Sequence, residues 1–162
     1  MPDSSFTLRP IAIVRSPRDE VIDDHWGDIV SEIELCGDVP TECLAGLENF
    51  SHAEIIFVFD RVTPDKITIG ARHPRGNTAW PRVGIFAQRA KNRPNRLGSS
   101  MVRILSREGR TLKVLALDAI DGTPVIDIKP VMAEFLPRAP VRQPAWSREL
   151  MADYWRSEAR HE

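Results

Sequence analysis

Residues 99–130 read SSMVRILSREGRTLKVLALDAIDGTPVIDIKP. Three short runs in it, SSMVRIL, TLKVLAL and PVIDI, are rich in aliphatic and β-branched residues, and the turn-forming REGR and DGTP stand between them. The pattern continues upstream. FTLRPIAIV (6–14), IVSEIEL (29–35), EIIFVFD (54–60), ITIGA (67–71) and VGIFA (83–87) have the period-two alternation or the short apolar runs of strands. Eight or so short strands at close spacing, separated by Gly/Pro/Asn-rich turns, predict an all-β fold: an antiparallel barrel or sandwich. No alternating strand and helix pattern and no GxGxxG turn is present, so a doubly wound nucleotide-binding fold is excluded.

Helix is confined to two places. PTECLAGLENF sets Leu44 and Leu47 three apart, which suits one or two turns near 41–48. After the proline-rich FLPRAPVRQPAW, the run SRELMADYWRSEA predicts a C-terminal helix near 147–158 with Ser147 as N-cap. Its apolar stripe, Leu150, Met151, Tyr154 and Trp155, reads as a docking face toward the domain or a partner subunit. The expected organisation is a barrel domain over 1–135 followed by a tail over 136–162.

The 162 residues are 42% hydrophobic and 28% charged, the composition of an ordinary globular domain. Such a chain buries about two-thirds of its unfolded surface without disulfides or metal. Cys36 and Cys43 lack metal-binding spacing and are expected as small core residues in a reducing compartment, with no bound metal. No apolar run approaches the ~20 residues of a membrane span and no leader pattern opens the chain, so the expected location is the cytoplasm.

Net charge is only -1, but it is unevenly placed. Between Lys66 and Arg107 stand ten basic residues and no acidic one. Two readings are open: a basic face for a polyphosphate or nucleic acid, or charges scattered over several faces and paired elsewhere. Within this block GIFAQRAKNRPNRLGSS (84–100) crowds Arg89, Lys91, Arg93 and Arg96 around a rigid Pro/Asn framework. Arginine's planar fork matches carboxylate or phosphate two bonds at a time, so this loop is a candidate anion clamp.

Other residues bear on chemistry. In LDAIDGTPVIDIKP (117–130), Asp121 before Gly122 is standard turn chemistry, whereas Asp118 at the end of a buried strand needs an arginine, a ligand hydroxyl or an amine to face. His52 reads as a structural hydrogen-bonding residue, and His73 as a turn or phosphate contact. His25-Trp26 either stacks on a planar ligand or plugs the barrel mouth.

Several of these segments together, IAIVRSP, GLENFSH, RHPRGN, GIFAQRAKNRPNRLG and LDAIDGTPVIDIKP, resemble the TsaA-like family, which includes the TrmO tRNA methyltransferases. The resemblance spans most of residues 9–130. It implies a β-barrel that binds S-adenosylmethionine (SAM), works as a homodimer, and methylates N6 of threonylcarbamoyladenosine beside the tRNA anticodon. The implied cofactor contacts are His25, Trp26, Gly27, Asp60, Arg61, Arg89, Ser99, Asp118, Ala119, Ile120 and Asp121. Arg89 would grip the methionyl carboxylate, and Asp118 or Asp121 would accept from ribose hydroxyls or the ammonium. The same two aspartates are the candidates for any catalytic base. Arg72, Arg75, Lys91, Arg93, Asn95 and Arg96 would line the path of the tRNA backbone. Where the family loop commonly reads ATRSPFRPNPIG, this chain has AQRAKNRPNRLG, which leaves room for a different RNA, a small-molecule acceptor or a non-catalytic SAM-binding role.

Overall fold

The structure, a computed structural model, describes residues 4–158. Its strands are β1 (Ala12–Arg15), β2 (Val30–Leu35), β3 (His52–Val58), β4 (Ala71–Arg72), β5 (Val83–Gly84), β6 (Leu97–Glu108), β7 (Thr111–Leu115) and β8 (Pro124–Pro130). Six of them close into a barrel in the order β1-β2-β7-β6-β3-β8, and β4 with β5 makes a separate two-stranded ribbon. Every barrel pairing is antiparallel, and the β1–β8 pairing, Ala12 opposite Val125, closes the ring. Of the barrel and the sandwich, the barrel forms, and it leaves no exposed sheet edge.

Alternation sets which side chains enter. Val14, Ile33, Leu35, Ile55, Phe57, Val102, Leu112, Val114 and Val125 fill the interior, while Glu32, Glu34 and Lys113 on the same strands face out. The bore is narrow. A Cβ placed on Gly98 would lie 2.4 Å from Phe57 Cε2 and 2.9 Å from Phe59 Cζ, so a residue without a side chain is what lets these rings fill that end. Phe57 and Phe59 meet edge to face, with centroids 5.3 Å apart.

An up-and-down path through antiparallel strands sends alternate connections to opposite ends. The connections 16–29, 59–96 and 116–123 therefore share one rim, and 36–51 and 109–110 lie at the other. The small helical segment expected near 41–48 is two 3-10 turns, Thr41–Leu44 and Leu47–Asn49. Leu44 and Leu47 plug the second end of the barrel.

Three expectations change. The C-terminal helix, α1, is Ala145–Leu150 rather than 147–158, and its N-cap is Pro144. Ser147 lies inside it, with its hydroxyl donating to the Pro144 carbonyl at 2.7 Å. Beyond Leu150 the chain turns instead of continuing the helix, because the carbonyls of Asp153 and Tyr154 accept from the backbone N–H groups of His25 and Trp26. Cys43 is exposed rather than a core residue, since it sits on the outer side of its 3-10 turn, and Cys36 is half-buried. ITIGA contributes only its last residue to a strand, because Ile69 points into solvent at 87% exposure and has no sheet to join. Among the described residues no helix is long and apolar enough to cross a membrane, and no group of three or more His, Cys, Asp or Glu is placed to hold a metal ion.

Gly98→Ala is expected to destabilise the fold by about 1–3 kcal/mol through overpacking against Phe57. Gly84→Ala, whose new methyl would meet nothing within 4 Å, serves as the near-neutral control. Urea unfolding of both variants measures the difference.

Candidate functional site

All the residues expected to bind cofactor or substrate lie in the three connections of the first rim or, for Ser99, near the start of β6. The fold thus gathers segments that are far apart in sequence. Asp118 ties the 116–123 connection to β6 and to the C-terminal segment. The backbone leaves β7 at Ala116, whose φ of 67° is left-handed, and Leu117 is then buried as an anchor. The half-buried Asp118 carboxylate accepts the Ser100 hydroxyl on Oδ1 and the Tyr154 hydroxyl on Oδ2. Each oxygen keeps further acceptor capacity.

Neighbouring residues of β6 divide the work. Ser100 faces inward to Asp118, continuing the inward register of Val102. Ser99 faces the other way: its hydroxyl donates to Glu54 Oε1 at 2.8 Å, and its carbonyl accepts from Arg89 Nη2. An exposed guanidinium and a hydroxyl-bound carboxylate are thus anchored on consecutive residues of one strand. Arg89 and Arg75 both lie close enough to act on Tyr154, but burial first, then the charge and hydrogen bond of Asp118, push its phenol well above the ordinary value near 10.

The connection 16–29 is held in place by Arg18, a buried arginine. Its guanidinium donates to the carbonyls of Asp24 (2.9 Å) and His25 (3.0 Å) and lies 4.3 Å over the Trp26 ring. Trp26 is buried, so it plugs the barrel mouth and its ring is packed by Arg18. His25 has φ 67°, and its ring Nδ1 lies 3.2 Å from the Arg156 carbonyl. A Cβ on Gly27 would fall 1.8 Å from the Trp155 carbonyl oxygen, so the C-terminal tail passes directly over this glycine.

The remaining expected contacts are placed as follows. Asp121 Oδ1 accepts the Ser16 N–H at 3.0 Å, and its own N–H donates to the Arg18 carbonyl, which makes it the brace of its turn. Ala119 is buried, and the Ile120 carbonyl accepts the Thr123 hydroxyl. Arg61 donates to the Asp19 carbonyl at 2.9 Å, and Asp60 is exposed beside it. Among the described residues no hydrogen bond links either of them to Asp118.

The basic block divides. Arg75 forms a two-pronged pair with Asp24, at 3.0 and 3.2 Å, so its charge is already answered. Arg107 pairs with Glu48 at the far end of the barrel. Arg93 and Arg96 turn inward, donating to the carbonyls of Gln88 (2.8 Å) and Val62 (2.8 Å), and thereby shape their own loop. Asn92 fixes the same loop to the Lys66 carbonyl, and buried Gln88 ties it to the carbonyls of Arg72 and Val83. Asn95 is exposed at the loop tip. Among the described residues Arg72, Arg82, Arg89, Lys91, Arg93 and Arg96 have no carboxylate within salt-bridge distance. Positive charge at this rim is therefore concentrated on the 59–96 connection, while the 16–29 connection brings Asp19, Glu20, Asp23, Asp24 and Asp28 to the same end. His52 and His73 take structural partners, the Ser51 hydroxyl and the Trp80 carbonyl.

Sequence reasoning missed Arg18, Ser100 and Tyr154. Ser100 was within reach, because it is two residues from Val102 on the inward side of a recognisable strand. Arg18 carries no local signal, and Tyr154 is marked in the sequence only as part of an apolar docking stripe, because the partners that define them are backbone carbonyls or distant in sequence. A hollow of about 450 Å³, lined by Ile11, Leu35, Leu44, Phe50 and Asp127 among others, lies at the opposite end and takes in none of the residues above.

The model of the tRNA-methyltransferase O N-terminal domain matches residues 16–135. An S-adenosyl-L-methionine-binding protein of Archaeoglobus fulgidus is 38% identical over 126 residues, covering 75% of this chain and 86% of that protein. The tRNA (adenine(37)-N6)-methyltransferase of Escherichia coli is 38% identical over 149 residues, covering 84% of this chain and 63% of the enzyme. Among solved structures, TrmO of Pseudomonas aeruginosa superimposes with a TM-score of 0.70 at 30% identity, over 86% of this chain and 61% of that one. The chain thus spans a little over three-fifths of those two longer proteins. With its barrel, its rim and 120 consecutive residues matched, the chain belongs to the family of the tRNA-methyltransferase O N-terminal domain.

Proposed function

We propose that this chain is a SAM-dependent methyltransferase that acts on N6 of an adenine in tRNA, specifically threonylcarbamoyladenosine beside the anticodon. The observation that carries the reading is the anchoring of Arg89 and Asp118 on consecutive residues of β6. The amino-acid part of SAM is a zwitterion, with carboxylate and ammonium on one carbon, and an exposed guanidinium next to an oriented carboxylate matches that pair of charges. The names of the relatives, SAM-binding protein and tRNA (adenine(37)-N6)-methyltransferase, support the same assignment.

SAM when bound supplies an electrophilic methyl group on a sulfonium. The residues of the chain bind and orient. Arg89 holds the carboxylate end, and Asp118 takes the ammonium or a ribose hydroxyl. The backbone of 117–121, stiffened by the Asp121 brace to Ser16, faces the adenine edge. In-line transfer requires the acceptor nitrogen behind the methyl at near-attack distance, so most of the rate comes from this rigid positioning. The acceptor N6 loses a proton as it gains the methyl. Asp118, engaged by the cofactor on the sulfonium side of the methyl, does not face N6, and Asp121 is committed to its turn, so the proton passes to solvent.

The uncompensated cations around the rim draw in the RNA backbone. Arg93 and Arg96 contribute charge while building the loop, and Arg82 and Lys91 are the side chains available for phosphate. The proposed assembly is a cytoplasmic homodimer. It is supported by Phe86 and Ile69, 80% and 87% exposed on the long connection beside the basic rim.

Incubating the protein with methyl-labelled SAM and total RNA is expected to place label in tRNA. Asp118→Ala is expected to weaken SAM binding by about 10-fold or more, the cost of losing a hydrogen bond to a charged group, and to lower transfer at limiting SAM accordingly. Label in another RNA, or tight binding without transfer, would favour the alternative acceptor or the binding module. Arg82→Glu with Lys91→Glu is expected to weaken tRNA binding and to flatten its salt dependence by about 0.7–0.9 for each phosphate no longer neutralised, measured by filter binding over a salt series. Light scattering is expected to give twice the chain mass, with Phe86→Glu shifting the protein to monomer.

A further inference from the structure

We propose that Tyr154, carried on the C-terminal segment 151–156, is a positioning residue of the cofactor site: its hydroxyl holds the Asp118 carboxylate in place opposite Ser100. This inference rests on the reading of Asp118 as a SAM ligand and adds a wall to that site. The sequence pattern marks this segment only as a docking face, and the family match ends at residue 135, so neither assigns it a role at the cofactor site.

Five observations converge on it. Tyr154 donates to Oδ2 of Asp118 while Ser100 donates to Oδ1, so the two hydroxyls fix the carboxylate plane from both sides. Hydrogen bonds to a charged group are among the stronger ones, and two of them on separate oxygens leave little rotational freedom. The segment is itself fastened: the N–H groups of His25 and Trp26 donate to the carbonyls of Asp153 (3.1 Å) and Tyr154 (2.8 Å). Gly27 then permits the close approach of the Trp155 carbonyl, which any larger residue would block. Finally, α1 is anchored before it, where Trp80 Nε1 donates to Glu149 Oε2 at 2.7 Å. The tail leaves β8 at the far end of the barrel and returns to the rim, so its docking is specified at several points. Trp155 packs edge to face on Tyr154 at 4.9 Å and covers it from outside.

An alternative geometry has the same segment leaving when cofactor enters, with Tyr154 as a stand-in for the ligand. The two differ in whether the phenol stays on Asp118 in the complex, and the chain reports on this directly because Tyr154 is its only tyrosine. Burial and the Asp118 charge raise its ionisation well above the ordinary range. Because the folded phenol titrates above the unfolded one, the stability it contributes is complete below about pH 10 and declines as pH rises beyond that.

The test combines tyrosinate absorbance at 295 nm between pH 8 and 11.5, with circular dichroism to follow folding, and calorimetric SAM binding at pH 7.5. The wild type is expected to stay silent through pH 10–11, with and without SAM. Asp118→Asn and Gly27→Ala, which remove the partner and the passage of the tail respectively, are expected to bring ionisation back toward 10. Tyr154→Phe is expected to bind SAM about 10-fold more weakly, and to add nothing further in an Asp118→Ala background, as coupled residues do. If Tyr154 ionises normally in the wild type, the docking is wrong. If it becomes titratable only when SAM is added, the segment is displaced and the positioning role is overturned. Unchanged SAM affinity in Tyr154→Phe overturns it as well. Failure of the wild type to bind SAM overturns the cofactor reading itself and the positioning role with it, an outcome set apart from the others because the tyrosine titration does not depend on ligand.

Discussion

Closure of six strands into an antiparallel ring is the constraint from which the rest of the molecule follows. Closure satisfies the backbone donors and acceptors that an open sheet leaves at its edges, and it forces alternate connections to opposite ends. It also makes the interior too narrow for a ligand: Phe57 fills it, and only at Gly98 is there room for the aromatic ring against the strand. The proposed site is accordingly at a rim, and one rim receives the three connections that carry the arginines, the aspartates and the His25-Trp26 turn.

At that rim the chain keeps opposite charges close without letting them neutralise one another. Asp118 is satisfied by hydroxyls rather than by a guanidinium, and Arg89 by a carbonyl rather than by a carboxylate. Each therefore retains its formal charge for another partner. Arg75, in contrast, is committed to Asp24 and serves the architecture. The distinction between a charged residue that is available and one already used separates the proposed site from the rest of the basic block.

Much of the barrel was legible because alternation is a local property. In VSEIEL the burial alternates strictly, and the side chains that face inward are the ones period two selects. The candidate segments 117–121 and the loop before β6 stood out as well, since a carboxylate at a strand end and a cluster of arginines are unusual in themselves. What could not be read was partnership across long separations. Arg93 and Arg96 looked like an outward clamp, yet their guanidinium groups turn back to backbone carbonyls that composition does not reveal. The C-terminal segment has helical spacing through Tyr154, but hydrogen bonding to His25 and Trp26 outweighs the intrinsic preference and stops the helix at Leu150. Choosing a barrel over a sandwich required the β1–β8 pairing, which joins the ends of the sequence pattern and leaves no trace in either strand alone.

The crossing of the tail over Gly27 ties two remote parts of the chain into a single unit of inheritance. A relative that carries a bulkier residue at this position must route its C-terminus elsewhere, and a relative with a different C-terminus has no reason to keep the glycine for this purpose. Chimeras that exchange C-terminal segments between family members should accordingly move the 16–29 connection together with the tail, since splitting the pair would set a side chain against a peptide carbonyl.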